Sequence, residues 1–135
     1  MFTTRNLPRC EGESMSLNVL VADDSSTMRK IIIRSLQSIG VPNTTEAKDG
    51  EEAISLFKQG GFDMVLTDWN MPGKTGLDVI REIRAQNTNV PIIMITTEAE
   101  KRRVLEAIQV GVSDYIIKPF EAEKLREKLE KFIKV

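Results

Sequence analysis

The chain has 135 residues, the size of one domain, and a chain of that length buries about two-thirds of its unfolded surface on folding. Its 41% hydrophobic and 29% charged residues exclude the disordered and fibrous classes, while 19 basic against 20 acidic residues leave no positive field for nucleic acid or a membrane surface. With no histidine, a Ser/His/Asp triad, a Cys/His dyad, a His-ligated zinc and a phosphohistidine carrier are all impossible, so chemistry must run on carboxylates, hydroxyls, lysine and a hard metal ion.

Residues 1–16 carry Pro8, Gly12 and charges of both signs without apolar periodicity, and read as an N-terminal tail. Met15, just before the first strand-like run, marks that tail as a start-site extension or a non-native segment. The lone Cys10 forbids an internal disulfide and points to a reducing compartment. No stretch resembles a signal peptide, and the longest apolar run, Ile92 to Ile95, is far below the ~20 residues of a membrane span. A cytoplasmic location is therefore expected.

From Leu17 to Val135 short apolar runs alternate with helical patterns. Strands are expected at Val19 to Ala22, Thr44 to Ala47, Met64 to Thr67, Pro91 to Ile95 and Asp114 to Ile117. Three of these runs are almost continuously apolar, as strands buried on both faces are. Between them, Met28, Ile31, Ile32, Ser35 and Ile39 form one helical stripe, stopped by Gly40. Ala53, Ile54 and Phe57 mark a second helix opened by Asp49-Gly50. Leu77, Ile80 and Ile83 mark a third, and Val104, Leu105 and Ile108 a fourth ended by Gly111. Leu125, Leu129 and Phe132 give the last, with Glu127/Lys131 and Glu130/Lys134 as pairs on its wet face. Five strand–helix units at this spacing predict right-handed crossovers and an open doubly wound α/β sheet, whose ligand site lies beyond the carboxyl ends of the strands.

Those ends are polar. Strand one runs into Asp23-Asp24, strand three into Asp68, strand four into Thr96-Thr97 and strand five into Lys118-Pro119. Each has a plainer reading when taken alone: a helix cap for the Asp pair, a turn opener for Asp68, a satisfied hydroxyl for Thr96, a surface cation for Lys118. Together they stand at the strand ends that the fold makes neighbours. Two carboxylates about 4 Å apart repel by roughly 4 kcal/mol at an effective dielectric of 20, so a cluster of three needs compensation. Lys118 offsets one charge, and a divalent ion bound by oxygen alone, Mg²⁺ or Mn²⁺, suits the rest. A lysine, a hydroxyl and Mg²⁺ together neutralise phosphoryl oxygens, which leaves one carboxylate as nucleophile for an aspartyl phosphate.

Four segments in order resemble a response-regulator receiver domain, most nearly its single-domain chemotaxis branch. They are Val-Ala-Asp23-Asp24-Ser-Ser-Thr-Met-Arg, Thr67-Asp68-Trp69-Asn70-Met71-Pro72-Gly73, Ile-Thr96-Thr97-Glu98-Ala99, and Gly111-Val-Ser-Asp-Tyr115-Ile-Ile-Lys118-Pro119-Phe120. The resemblance covers residues 17–135. It implies a single flavodoxin-like (βα)5 domain with a five-stranded parallel sheet of order 2-1-3-4-5. Asp68 would accept a phosphoryl group from a sensor histidine kinase or a small acyl phosphate. Asp24 would bind Mg²⁺ directly and Asp23 mainly through water, with Asp68 and the Asn70 backbone carbonyl also in the metal set. Thr96 and Lys118 would grip phosphoryl oxygens, with a cis Lys118-Pro119 bond, and Tyr115 would turn inward on phosphorylation. Asn70 and Glu98 would tune hydrolysis of the acyl phosphate. Lys74, in Gly73-Lys74-Thr75-Gly76, departs from the pattern by placing a positive charge near the phosphate.

For output, the resemblance implies an altered surface over helix four, strand five and helix five. Ala99, Arg103, Val104 and Tyr115, with Lys128 and Lys131, would receive an acidic amphipathic helix such as that of a flagellar motor switch protein. The neighbouring Lys101 and Arg102 belong to the same charge run. Ser25, Ser26 and Met28 would help dock the kinase. A phosphatase partner is also compatible, and a monomer is expected. The chief alternative is a stand-alone or phosphorelay receiver in another pathway. A haloacid-dehalogenase-type phosphatase shares the Asp nucleophile and Mg²⁺, but it needs a second acid where this chain has Asn70. A signalling switch, not a turnover enzyme, is the expectation, and direct transcriptional output is not expected because no DNA-binding module follows Val135.

Overall fold

A computed structural model describes residues 17–132 except 42, 70, 72, 87–88, 98–103 and 119. The N-terminal tail with Cys10, the Lys118-Pro119 bond and the expected Glu130/Lys134 pair therefore lie outside the described residues. The element order is β1 (Val19–Ala22), α1 (Ser26–Ser38), β2 (Thr44–Ala47), α2 (Gly50–Lys58), β3 (Met64–Asp68), α3 (Gly76–Gln86), β4 (Ile92–Thr97), α4 (Val104–Val110), β5 (Asp114–Lys118) and α5 (Ala122–Glu130). All strand pairs are parallel, in the order β2-β1-β3-β4-β5. The doubly wound sheet of the expected order is present.

Strand alternation sends side chains to two separate cores. Val19, Val21, Met64, Leu66, Ile93, Ile95 and Ile116 pack with Ile32 and Leu36 of α1 and Leu125 and Leu129 of α5. Leu20, Ala22, Val65, Ile92 and Met94 pack with α2, α3 and Ala107 of α4. β1, β3 and β4 are largely apolar at successive positions because both of their faces are covered, whereas the edge strands β2 and β5 are mixed and only partly buried.

β1 and β2 have the expected bounds, but β3, β4 and β5 run one or two residues further at their carboxyl ends, through Asp68, Thr97 and Lys118. The ladder is a backbone property, so a polar side chain does not end it. The site residues therefore sit on the last rungs of the sheet, held more rigidly than loop residues would be.

The helix stripes need two corrections. In α1 the buried positions are Ile32 and Leu36, with Met28, Ile33 and Ile39 partly covered, whereas Ile31 is 43% exposed. The stripe follows the i,i+4 row 28-32-36, and Ile31 and Ser35 lie off that row. In α4, Leu105 is 70% and Ile108 52% exposed, and Ala107 faces the core instead. Ala107 joins the core that this seven-residue helix shares with α3. The α5 stripe holds through Leu125 and Leu129, but Phe132 lies past the helix end and is 38% exposed. Surface pairing on α5 differs as well. The ion pairs are Lys124–Glu127 and Glu123–Arg126 at i,i+3, and Lys131 turns away from Glu127 to Asp114.

At the end of the sheet opposite the polar strand ends, Arg84 of α3 donates to the Gly111 carbonyl at 2.8 Å and to Ser113 Oγ at 3.3 Å. Ser113 Oγ also accepts from the Ile92 amide at 3.0 Å. This clasp joins α3, the end of α4 and the starts of β4 and β5.

Candidate functional site

The corner beyond β1 is built by capping. Ser25, with extended backbone, is the N-cap of α1 and its hydroxyl accepts from the Met28 amide at 3.2 Å. Because Ser25 supplies the cap, neither aspartate of the pair is used for it. Asp23 Oδ1 instead accepts from the Ser25 amide at 2.9 Å, and the Asp23 carbonyl accepts from Arg29 at 2.6 Å. Arg29 in turn pairs with Glu46 of β2 at 2.7 Å. Asp23 is thus fixed from both sides and nearly inaccessible, while Asp24 next to it is exposed.

Parallel registry brings the other strands' groups to the same corner. Asp68 on β3 stands opposite Ile95 of β4, one step before Thr96, and Thr97 stands opposite Lys118 of β5. Lys118 Nζ lies 3.1 Å from Asp68 Oδ1 and 3.5 Å from Asp23 Oδ2. Asp23, Asp24 and Asp68 each offer a carboxylate oxygen, all within 4.8 Å of one another. Thr96 is 1% exposed, and its hydroxyl makes a long 3.5 Å contact to the Thr97 carbonyl.

Three carboxylates against one contacting ammonium strain the electrostatics. Burial, and then the neighbouring Asp23 charge, push Asp68 up to about 6, against the pull of Lys118. Asp23 is also raised, chiefly by burial, with the Ser25 amide and Lys118 opposing. For Lys118 burial acts downward, but the Asp68 and Asp23 charges outweigh it and hold the ammonium firmly protonated.

These residues fit a hard divalent cation. The donor set is carboxylate oxygen alone, and Asp23 Oδ2 is buried without accepting any hydrogen bond. The Lys118 ammonium at 3.5 Å offsets only part of the cost of burying that oxygen, and a bound divalent ion would complete it.

Gly76 opens α3 directly beneath this corner, and its amide donates to the Trp69 carbonyl at 2.8 Å. A Cβ there would collide with the Asp68 carbonyl and stand 3.0 Å from Trp69 Cα. Gly76→Ala is therefore expected to displace the end of β3 and to cost about 2 kcal/mol of stability, read as a lowered denaturant midpoint. An unchanged midpoint would mean that the loop yields freely. Lys74 lies with its backbone and Cβ against Gly50 at the start of α2.

Of the sequence-predicted site residues, Asp23, Asp24, Asp68, Thr96 and Lys118 come together at one end of the sheet. Tyr115 stands apart on β5, half-buried, with the Lys128 ammonium 5.5 Å from its ring centroid. Lys128 and Lys131 share that face with it and bind Asp114. Asn70, Glu98, Ala99 and Arg103 lie outside the described residues, as do Lys101 and Arg102, and so does the side chain of Val104. Sequence reasoning missed Arg29, Glu46 and Asp114. A cation one turn after an N-cap signalled the first. The other two partner across strands, and no local spacing shows that.

The family model of the response regulator receiver domain matches residues 19–130. The chain is 46% identical over 117 residues to the chemotaxis protein CheY of Pseudomonas aeruginosa, covering 85% of this chain and 94% of that protein. It is 48% identical over 118 residues to CheY-3 of Vibrio cholerae, covering 86% and 91%. Among solved structures, the V. cholerae chemotaxis protein CheY4 superposes with a TM-score of 0.80 at 33% identity, covering 87% of this chain and 98% of that one. The receiver domain of the P. aeruginosa sensor histidine kinase PA1611 superposes with a TM-score of 0.79 at 30% identity, covering the same shares. In that structure a magnesium ion is coordinated in the active-site cleft. The sheet order, the acidic corner and the family match over most of the sequence agree, and the chain belongs to the response-regulator receiver family.

Proposed function

We propose that the protein is a phosphorylation-switched chemotaxis regulator whose phosphoacceptor is Asp68. The observation that carries this reading is the Asp68 carboxylate, 3.1 Å from Lys118 and within a three-carboxylate corner, in a chain 46% and 48% identical to two proteins named for chemotaxis. The donor is a histidine kinase's phosphohistidine or a small acyl phosphate. An Asp68 oxygen attacks phosphorus, the donor's P–N or P–O bond breaks, and its electron pair leaves with the donor.

Asp23, Asp24 and Asp68, with the Asn70 carbonyl, would hold Mg²⁺, which neutralises phosphoryl oxygens when bound. Lys118 then exchanges its carboxylate partners for a phosphoryl oxygen, and the Thr96 hydroxyl turns to donate to another. Thr96 lies on β4 beside β5, so its movement vacates space toward Tyr115, whose ring follows and changes the β5–α5 surface. Asn70 and Glu98 orient the water that ends the signal. The protein acts as a switch and not as a turnover enzyme. It works in the cytoplasm as a monomer, and its output partner is an acidic segment of the flagellar motor switch. Among the described residues no helix is long and apolar enough to cross a membrane. Residues 17–135 form the receiver unit, preceded by residues 1–16 as a tail that is a start-site extension or a non-native segment.

The single tryptophan tests this reading. Trp69 follows Asp68 directly and its ring is buried in the α2–α3 core. Its fluorescence is expected to shift saturably with Mg²⁺ and to shift again with acetyl phosphate. The second shift should be absent in Asp68→Asn. Silence at both steps would leave a receiver-shaped binding module without the chemistry.

A further inference from the structure

Asp114 opens β5, and its carboxylate is engaged three times. Oδ1 accepts from the Tyr115 amide at 2.8 Å and from Lys128 Nζ at 3.1 Å, and Oδ2 accepts from Lys131 Nζ at 3.3 Å. Burial acts to raise its pKa, but these hydrogen bonds and the Lys128 charge outweigh burial and hold the carboxyl below the usual range, so it is a full anion at neutral pH. Lys128 is only 19% exposed and leans over the Tyr115 ring. One acid thereby occupies Lys128 and Lys131 together.

Beside this cluster lies a pocket of about 260 Å³, lined by Tyr115, Ile116, Ile117, Phe120, Lys124 and Lys128. Its walls are apolar and aromatic and carry two ammonium groups. An apolar side chain flanked by carboxylates complements such a site, as an amphipathic acidic segment of a protein partner presents it. With Asp114 in place, the Lys128 and Lys131 charges that would attract such a segment are already satisfied.

We infer that Asp114 is an internal stand-in for the partner's carboxylate, and that an acidic amphipathic segment docks on the β5–α5 face by displacing Asp114 from Lys128 and Lys131. The inference rests on reading this face as the output surface. Exchanging one carboxylate for another gains little, so Asp114 keeps the resting affinity low. It also selects for partners with more than one acid, which engage both lysines at once. Because Lys128 bridges Asp114 to the Tyr115 ring, docking releases the cation from that ring.

Fluorescence anisotropy of a labelled synthetic helical peptide, built from Glu, Asp, Leu and Ile on an amphipathic repeat, tests this at low ionic strength. Asp114→Asn keeps an acceptor for the Tyr115 amide but frees both lysines, and should bind the peptide about five-fold tighter than the native protein. Asp114→Glu, which keeps the charge, should bind like the native protein. Glu130→Gln removes one negative charge from α5 without touching the cluster, and should change little. Adding Lys128→Gln to Asp114→Asn should abolish the gain. Unchanged or weaker binding by Asp114→Asn, a gain that survives Lys128→Gln, or an equal gain in Glu130→Gln each overturns the inference. If the native protein binds and Lys128→Gln loses binding while Asp114→Asn gains nothing, the docking face stands and the role of Asp114 falls. If neither the native protein nor Asp114→Asn binds, the docking face falls, and the inference with it.

Discussion

Asp68→Asn protein incubated with Mg²⁺ and acetyl phosphate is expected to carry no phosphoryl group, whereas the native protein takes up one per chain as read by intact mass. The expectation is a complete loss, because nucleophile and neutralising groups must coincide. Asp23 is buried and tied through Oδ1 to the Ser25 amide, and Asp24 is exposed. Among the described carboxylates only Asp68 combines contact with Lys118 at 3.1 Å and a place on β3 beside the strand that carries Thr96. An amide at 68 keeps the shape and loses the nucleophilic oxygen charge, so folding survives and the chemistry does not. Equal labelling of Asp68→Asn would sink the site assignment. Slower labelling at full stoichiometry in the native protein would not.

The second large effect is on stability. With the metal removed by chelator, the acidic corner stores repulsion. Asp68 is raised from 3.8 to about 6 in the folded protein, so the folded state binds a proton more tightly than the unfolded chain. Between about pH 4 and pH 6 the native state holds the extra proton, and stability therefore falls as pH rises through that window. The loss levels off above about pH 7, at a sum on the order of 3 kcal/mol for a two-unit shift. Metal-stripped protein is accordingly expected to melt at a higher temperature at pH 5.5 than at pH 7.5.

Mg²⁺ at pH 7.5 should recover that loss, because a cation bound only by the folded carboxylates stabilises by mass action. Asp23→Asn should also raise the melting temperature in chelator, since it removes one of the repelling charges yet leaves an oxygen for the Ser25 amide. At roughly 3 °C per kcal/mol for a chain of this size, the step from pH 5.5 to 7.5, which collects about 1 kcal/mol of the total, amounts to about 3 °C, and the Mg²⁺ and Asp23→Asn shifts should be at least as large, all measurable by calorimetry. A fall in melting temperature with both Asp23→Asn and Mg²⁺ would mean that the carboxylates do not repel one another in solution.

Much of this architecture was legible in the residue order. Apolar runs such as Val19 to Ala22 and Ile92 to Ile95 need cover on both faces, and alternation with helices leaves a parallel doubly wound sheet as the solution. Because ligand sites in such sheets lie at the carboxyl ends, the polar residues that follow those runs could be named before any contact was known. Asp23, Asp24, Asp68, Thr96 and Lys118 do meet there. The helix faces were less legible. A seven-residue helix such as α4 offers few positions for a period to declare itself, and its inward side fell to Ala107, a residue that carries little hydrophobic signal.

What the order of residues determined, then, was strand and helix content, sheet class and the chemistry placed at the strand ends. All of these follow from local periodicity and from the direction in which parallel strands point. Which charges touch was left to the packed sheet. Lys118 chooses between Asp68 and Asp23 across a registry of strands distant in sequence, Arg29 reaches Glu46, and Lys131 abandons Glu127 for Asp114. Ion pairing depends on separations of a few ångströms and on how much water remains between the groups. Those quantities exist only once the strands are side by side.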